Sequence, residues 1–273
     1  MTPSTGSIDL TVVDCIATVT VVRPDSLNAI NPELLDQLEH VLAKVDRDPE
    51  IRVLVISTAG DRVFSAGADI KRFRVLDGAA MWAMWTRRGH QVFDRLSALR
   101  QPTIAAVDGN AYGGGLELAL ACDLRIAAEG VTLGLTEVTL GTLPGWGGTQ
   151  RLTQLVGAPR AKELIFTGEP VTAESALQWG LVNRLAPAGE VRAAATEWAQ
   201  LIARRAPVAV QMAKQAVDVA DGGDPGLAFE GVAAAATAGV GDFHEGLAAF
   251  TERRPASFTG LTTDDATTSR RRK

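Results

Sequence analysis

Cysteine is scarce in this 273-residue chain: Cys15 and Cys122 stand alone, in no metal-ligand or redox spacing. That excludes a thiolate metal centre or a dithiol motif, and a reducing compartment is the natural reading. Histidine is nearly as sparse. His40, His90 and His244 are scattered without ligand spacing, so each reads as a surface or structural residue and no metal is expected. No apolar run reaches the roughly 20 residues that a membrane-spanning helix needs. The opening MTPSTGSIDL has neither the charged nor the apolar region of an export signal, and the expectation is a soluble, cytoplasmic protein. There is no cationic excess either. Lys and Arg number 27 against 32 Asp and Glu, a formal charge of -5, which gives no field for nucleic acid. A P-loop and a serine nucleophile elbow are missing, and GWGGTQ lacks both the spacing and the preceding strand of a dinucleotide fingerprint.

What is present is a large apolar content, 46% of residues, enough for a sizeable core. Residues 8–22, IDLTVVDCIATVTVV, read as two strands around a turn at Asp14. Pro32 opens a helical pattern whose Leu34, Leu35, Leu38, Val41, Leu42 and Val45 share one face. RVLVIST (52–58) is a continuous apolar run, the mark of a strand buried on both faces. Strand, helix, strand predicts a right-handed parallel crossover. TIAAV (103–107) and LRIAA (124–128) repeat the theme, giving an α/β class. Beyond about residue 195 the pattern turns helical, with DGGDPG (221–226) as an inter-helix loop. The chain divides into a core over 1–195, a helical region over 196–258 and a polar, disordered tail over 259–273.

Three segments carry candidate chemistry. FSAGADI (64–70) places small residues after a buried strand, where backbone amides can approach a ligand; an ordinary strand-to-helix turn has the same composition. AVDGNAYGGGLELALACDLRIAA (106–128) runs a strand into three glycines and a helix. Free amides at a helix start favour a developing oxyanion. Glu117 sits in that first turn, where capping is the bland role, but capping does not require three glycines. LGLTEVTLGTLPGWGGTQRL (133–152) sets Glu137 among apolar and small residues. Burial there raises a carboxyl pKa; a salt bridge to Arg151 or Arg160 is the structural alternative.

Together the segments resemble the enoyl-CoA hydratase/isomerase (crotonase) family over nearly the whole chain. VRPDSLNAINPELLDQL (22–38), FSAGADIKRF, GGGLELALACD, EVTLGTLPGWGGTQRL and AKELIFTGEPVTAESALQWGLVNRL (161–185) carry the likeness. It implies a spiral of ββα units with a helical C-terminal region. It implies oxyanion-hole amides at Ala68 and Gly114, and acid–base glutamates at Glu117 and Glu137. It implies an acyl-CoA thioester substrate, coenzyme A being part of the substrate with no further cofactor, and assembly as a homotrimer or dimer of trimers. Contacts to coenzyme A fall on Ala66, Ala68, Asp69, Ile70 and Lys71, with Arg253 meeting the nucleotide phosphates. Arg253 stands in TERRP where family hydratases tend to have lysine, and a plain surface role is the alternative.

Because both glutamates are present, the resemblance favours a hydratase, with Glu117 as the water-activating base and Glu137 as the proton donor. An isomerase, in which one carboxylate shuttles a proton, and a non-catalytic binding protein of the same fold are the other readings. Trp146 replaces a smaller residue in the PGxGG turn, and it either narrows the acyl pocket or packs under the turn. AAMWAMWTRRGHQVF (79–93) puts Trp82 and Trp85 where relatives line an acyl tunnel; ordinary helix core is the alternative.

Overall fold

Strand β1 (Ser7–Val13) and strand β2 (Ile16–Val22) form a hairpin closed at Asp14, which adopts a left-handed φ of 54°. The computed structural model describes residues 5–219 and 224–260. Helix α1 (Pro32–Arg47) starts with Asn31 accepting the Leu34 amide and with Pro32 in its first turn. All six of its predicted apolar residues are buried.

The next three turns of chain share one plan. Each contributes one strand to a large sheet, then one to a small sheet, then helix. Strand β3 (Val53–Thr58) and the short β4 (Val63–Ser65) lead to α2 (Ile70–Phe73), α3 (Gly78–Ala80), a π-helical turn (Met81–Thr86) and α4 (Arg87–Ser97). Strands β5 (Thr103–Val107) and β6 (Asn110–Tyr112) lead to α5 (Gly114–Leu120). Strands β7 (Leu124–Ala128) and β8 (Thr132–Gly134) lead through a 3₁₀ turn (Glu137–Leu140) to α6 (Gly148–Thr167). Then come β9 (Val171–Thr172), α7 (Ala173–Trp179) and β10 (Arg184–Ala186).

The large sheet has the order β1-β2-β3-β5-β7-β10, parallel except for the β1–β2 hairpin. The small sheet is β4-β6-β8-β9, with β8 and β9 antiparallel. This is the predicted spiral. The small sheet was not legible beforehand, since strands of two or three residues are too short to carry a hydrophobic period.

The C-terminal helices are α8 (Val191–Ala203), α9 (Pro207–Val219), α10 (Asp224–Ala238) and α11 (Gly241–Glu252). The boundary expected at residue 195 falls inside α8. Its Val191, Ala195, Ala199 and Ala203 pack against Val53, Val55, Ile104 and Ile126 of the sheet, so α8 belongs to the core. Of the expected loop 221–226, residues 224–226 open α10 and the others lie outside the described residues, as does the expected tail from residue 261. Among the described residues no helix is long and apolar enough to cross a membrane.

Candidate active site

The early segment around Asn28 sets the first wall. Asn28 is buried, donates to the Ala59 and Val63 carbonyls, and accepts from the Arg23 amide. Ile30 then makes a parallel bridge to Ala68: its amide donates to the Gly67 carbonyl, and its carbonyl accepts from the Asp69 amide. In such a bridge the N–H of the bridged residue points away from the neighbouring strand. Ala68 therefore turns its amide toward a cavity of about 480 Å³ that Ala68 itself lines.

The second wall is the start of α5. Gly113 has φ 50° and ψ −127°, a backbone open to glycine, and a Cβ there would meet Glu137 Oε1 at 3.1 Å. A Cβ on Gly114 would lie 2.6 Å from the Trp146 ring and 3.2 Å from the Ala68 nitrogen. A Cβ on Gly115 would lie 2.5 Å from the Ser65 carbonyl oxygen. The three glycines thus answer to three different neighbours. Neither the Ala68 nor the Gly114 amide has a hydrogen-bond partner among the described residues, while Gly113 N donates to Gly134 O. Two free amides face one cavity.

Both glutamates line the same cavity. Glu117 is 2% exposed, and its Oε1 accepts from the Trp146 amide at 2.7 Å and the Gly148 amide at 2.8 Å. Burial, and then the neighbouring Glu137 charge, push its carboxyl up to about 7; the two amides and Arg151 oppose the rise. Burial also raises Glu137. Its Oε2 is buried and has no hydrogen-bond partner among the described residues. The salt bridge considered for Glu137 is not made: Arg151 pairs with Asp94 at 2.5 Å, and Arg160 lies over the Trp179 ring. The arrangement can hold an anionic oxygen at the amides and move protons at two carboxyls of differing surroundings.

Other expected residues divide. Ala66, Ala68 and Ile70 line the cavity, as do Trp85 and Trp146. Trp82 does not: it is 70% exposed on the π-helical turn and does not line the cavity, where the acyl-pocket expectation had put it. Asp69 is committed elsewhere, pairing with Arg23 at 2.8 Å and capping α2 through the Lys71 amide, so its side chain fixes the segment. Lys71 is exposed beside the cavity segment and Arg253 is exposed at the end of α11; neither lines the cavity.

His90 and Thr86 line the cavity and were missed. Their spacing of four residues on a helical stretch, beside the aromatic cluster, is the signal that a search for metal spacing overlooks. A larger cavity of about 1110 Å³ lies between Cys122–Arg125 and α9. Among its charged groups Lys214 pairs with Asp123 and Arg151 with Asp94, and Arg125 donates to backbone carbonyls.

A family model described as enoyl-CoA hydratase/isomerase matches residues 12–261. The chain is 41% identical over 248 residues to a short-chain-enoyl-CoA hydratase of Clostridium acetobutylicum, covering 88% of this chain and 92% of that one. It is 42% identical over 247 residues to a probable mitochondrial enoyl-CoA hydratase 2 of Arabidopsis thaliana, covering 90% of this chain and 82% of that one. A crystal structure of an enoyl-CoA hydratase from Bacillus anthracis superposes with a TM-score of 0.89 at 37% identity, over 94% of this chain and 100% of that one.

Proposed function

The chain belongs to the enoyl-CoA hydratase/isomerase family, and from that premise we propose that it hydrates 2-enoyl-CoA thioesters to 3-hydroxyacyl-CoA. The observation that carries this reading is the meeting of two unpartnered amides and two glutamates at one cavity.

The electronics follow. A double bond conjugated to a thioester carbonyl leaves the β carbon electrophilic. Attack there drives charge onto the carbonyl oxygen, which the Ala68 and Gly114 amides stabilise as it develops. Glu117, with a carboxyl near pH 7, takes the proton of the attacking water. Glu137 gives a proton to the α carbon. Coenzyme A runs along Ala66, Ala68 and Ile70, with Lys71 at the exposed edge to meet phosphate. Trp85 and Trp146 wall the cavity at the acyl end.

This scheme uses no metal and no redox group, so turnover is expected to survive chelation by EDTA. Exposed apolar side chains on α9, α10 and α11, among them Val217, Val232, Leu247 and Phe250, support assembly as a trimer or dimer of trimers, to be read by light scattering. The free thiols Cys15 and Cys122 support a cytoplasmic site, to be read by cell fractionation.

The deciding assay is absorbance at the enoyl-thioester band. Loss on mixing with crotonyl-CoA supports hydration. A rise with a 3-enoyl-CoA and no loss with crotonyl-CoA replaces the reading with isomerisation. No change with either points to a binding role.

A further inference from the structure

Trp146 is 1% exposed and still lines the cavity. Its indole occupies a slot between two glycines. A Cβ on Gly89, inside α4, would stand 2.0 Å from the ring, and a Cβ on Gly114 would stand 2.6 Å from its other edge. Trp85 packs at 5.2 Å between ring centroids and Phe93 meets it edge-on at 5.4 Å. Nε1 donates to the Trp85 carbonyl at 3.3 Å. The ring has one place to be.

The main chain of the same residue is equally tied. Trp146 N donates to Glu117 Oε1 at 2.7 Å, and its carbonyl accepts from Arg151 Nη1 at 2.9 Å. Gly148, two residues on, gives the same Glu117 oxygen its second amide. Gly114 lies at the far edge of the indole, and the position a Cβ would take there is also 3.2 Å from the Ala68 nitrogen. One residue therefore touches the carboxylate through its backbone and, through its ring, packs on Gly114, whose neighbour in the amide pair is Ala68.

We propose, resting on the reading that Glu117 and the two amides do the chemistry, that Trp146 is a positioning residue that sets both at once, with Gly89 as its seat. Glycine is unfavourable inside a helix, and the indole gives Gly89 its reason. A simple core filler would touch the packing but not the protonation of Glu117. Hydrogen bonds from Trp146 and Gly148 favour the ionised carboxylate. The other charged groups facing it are Glu137 from the 3₁₀ turn, which raises its pKa, and Arg151 from α6, which lowers it. Releasing the Trp146 loop moves the carboxyl pKa further up.

The test uses the full chain and four variants: Trp146→Ala, Trp146→Phe, Gly89→Ala, and the double Gly89→Ala/Trp146→Ala. Hydration of crotonyl-CoA is followed for kcat, KM and the pH dependence of kcat. Trp146→Ala should lower kcat about a hundredfold, the cost of a small misplacement, with far less change in KM. The acid limb of its kcat profile should move to higher pH. Trp146→Phe should recover most of the loss. Gly89→Ala should be as damaging as Trp146→Ala, yet add little in the double variant.

A Trp146→Ala enzyme that keeps kcat within about twofold and the same acid limb overturns the proposal. So does additivity of the two changes. Should Trp146→Ala not fold, an unmoved acid limb in both Trp146→Phe and Gly89→Ala overturns it. If the wild-type chain does not hydrate crotonyl-CoA, the hydratase reading has failed separately. The proposal is then decided by ultraviolet titration of bound acetoacetyl-CoA enolate, which should be weaker in Trp146→Ala and would be equal to wild type if the proposal is wrong.

Discussion

The two sides of the cavity are built to different standards. The side made by Gly113–Glu117, with Trp146 and Gly148 hydrogen-bonded to Glu117, is buried and closed to even a methyl group at Gly114 and Gly115. The side made by residues 70–86 is loose. Ile70, Val75, Trp82 and Met84 are half or more exposed, and a Cβ on Gly78 would meet nothing within 4 Å. The difference separates two tasks. Donors that stabilise a transient charge must already be in place, because moving them during reaction costs what they contribute. A side that admits a long thioester must open, and sparse packing lets it do so.

The largest expected effect lies on the tight side. Glu117→Gln and Glu137→Gln keep size and shape but remove an ionisable group. Each should lower crotonyl-CoA hydration by a factor on the order of a hundred to ten thousand. Since both act on one event, the double change should cost much less than the product of the singles. A folded Glu117→Gln enzyme near the wild-type rate would break the division of tasks at its root. Loss confined to Glu137→Gln would favour isomerisation.

Glu117 also makes the tight side costly to hold at high pH. Its unfolded carboxyl titrates near 4.5 and its folded carboxyl near 7. Between those values the folded chain keeps a proton that the unfolded chain has lost, so stability falls as pH rises across that window. Above about 7 the loss levels off, on the order of 3 kcal/mol at about 1.4 kcal/mol per pH unit. Glu117→Gln should therefore melt higher than wild type at pH 8, with the gap closing toward pH 4. An equal gap at both ends would mean that the carboxylate is solvated.

How much of this could be read beforehand follows the same division. Apolar runs gave the buried strands β3, β5 and β7, and the triple glycine announced a close approach near Glu117. The partners that require each glycine were hidden, because Trp146, Ser65 and Glu137 are distant in sequence and meet only through the spiral. The loose side was read poorly. Met81, Trp82, Met84 and Trp85 form one apolar cluster in sequence, but the π-helical turn buries Trp85 and leaves Trp82 and Met84 outside. A 3.6-residue period does not describe that turn. The ion pair of Asp69 was likewise not legible, since its Arg23 partner comes from the early loop.

A matched pair of glycine substitutions sharpens the comparison on stability. Gly115→Ala puts a methyl 2.5 Å from the Ser65 carbonyl oxygen, in backbone that has nowhere to go. Overpacking of this kind costs about 1–3 kcal/mol, visible as a lowered denaturant midpoint. Gly78→Ala sits in the short helix α3 with open space around it, and should gain about 0.4–1 kcal/mol by restricting the unfolded chain. Equal effects of the two would mean that the sides do not differ in packing.

The smallest expected effect belongs to Trp82. Its neighbour Trp85 is 8% exposed, lines the cavity and packs at a tilt against Trp146, so the pair differs by burial within one turn of helix. Trp82→Ala removes a large side chain that is 70% exposed and touches no catalytic group. Surface changes of this kind shift stability by no more than about 0.5 kcal/mol, and kcat/KM should stay close to wild type. The measurement is kcat/KM on a series of 2-enoyl-CoA thioesters of increasing chain length. A flat ratio of variant to wild type leaves Trp82 as surface. A ratio that falls steeply for the longer chains would show the loose side closing over the acyl group, with Trp82 turned inward when substrate is bound.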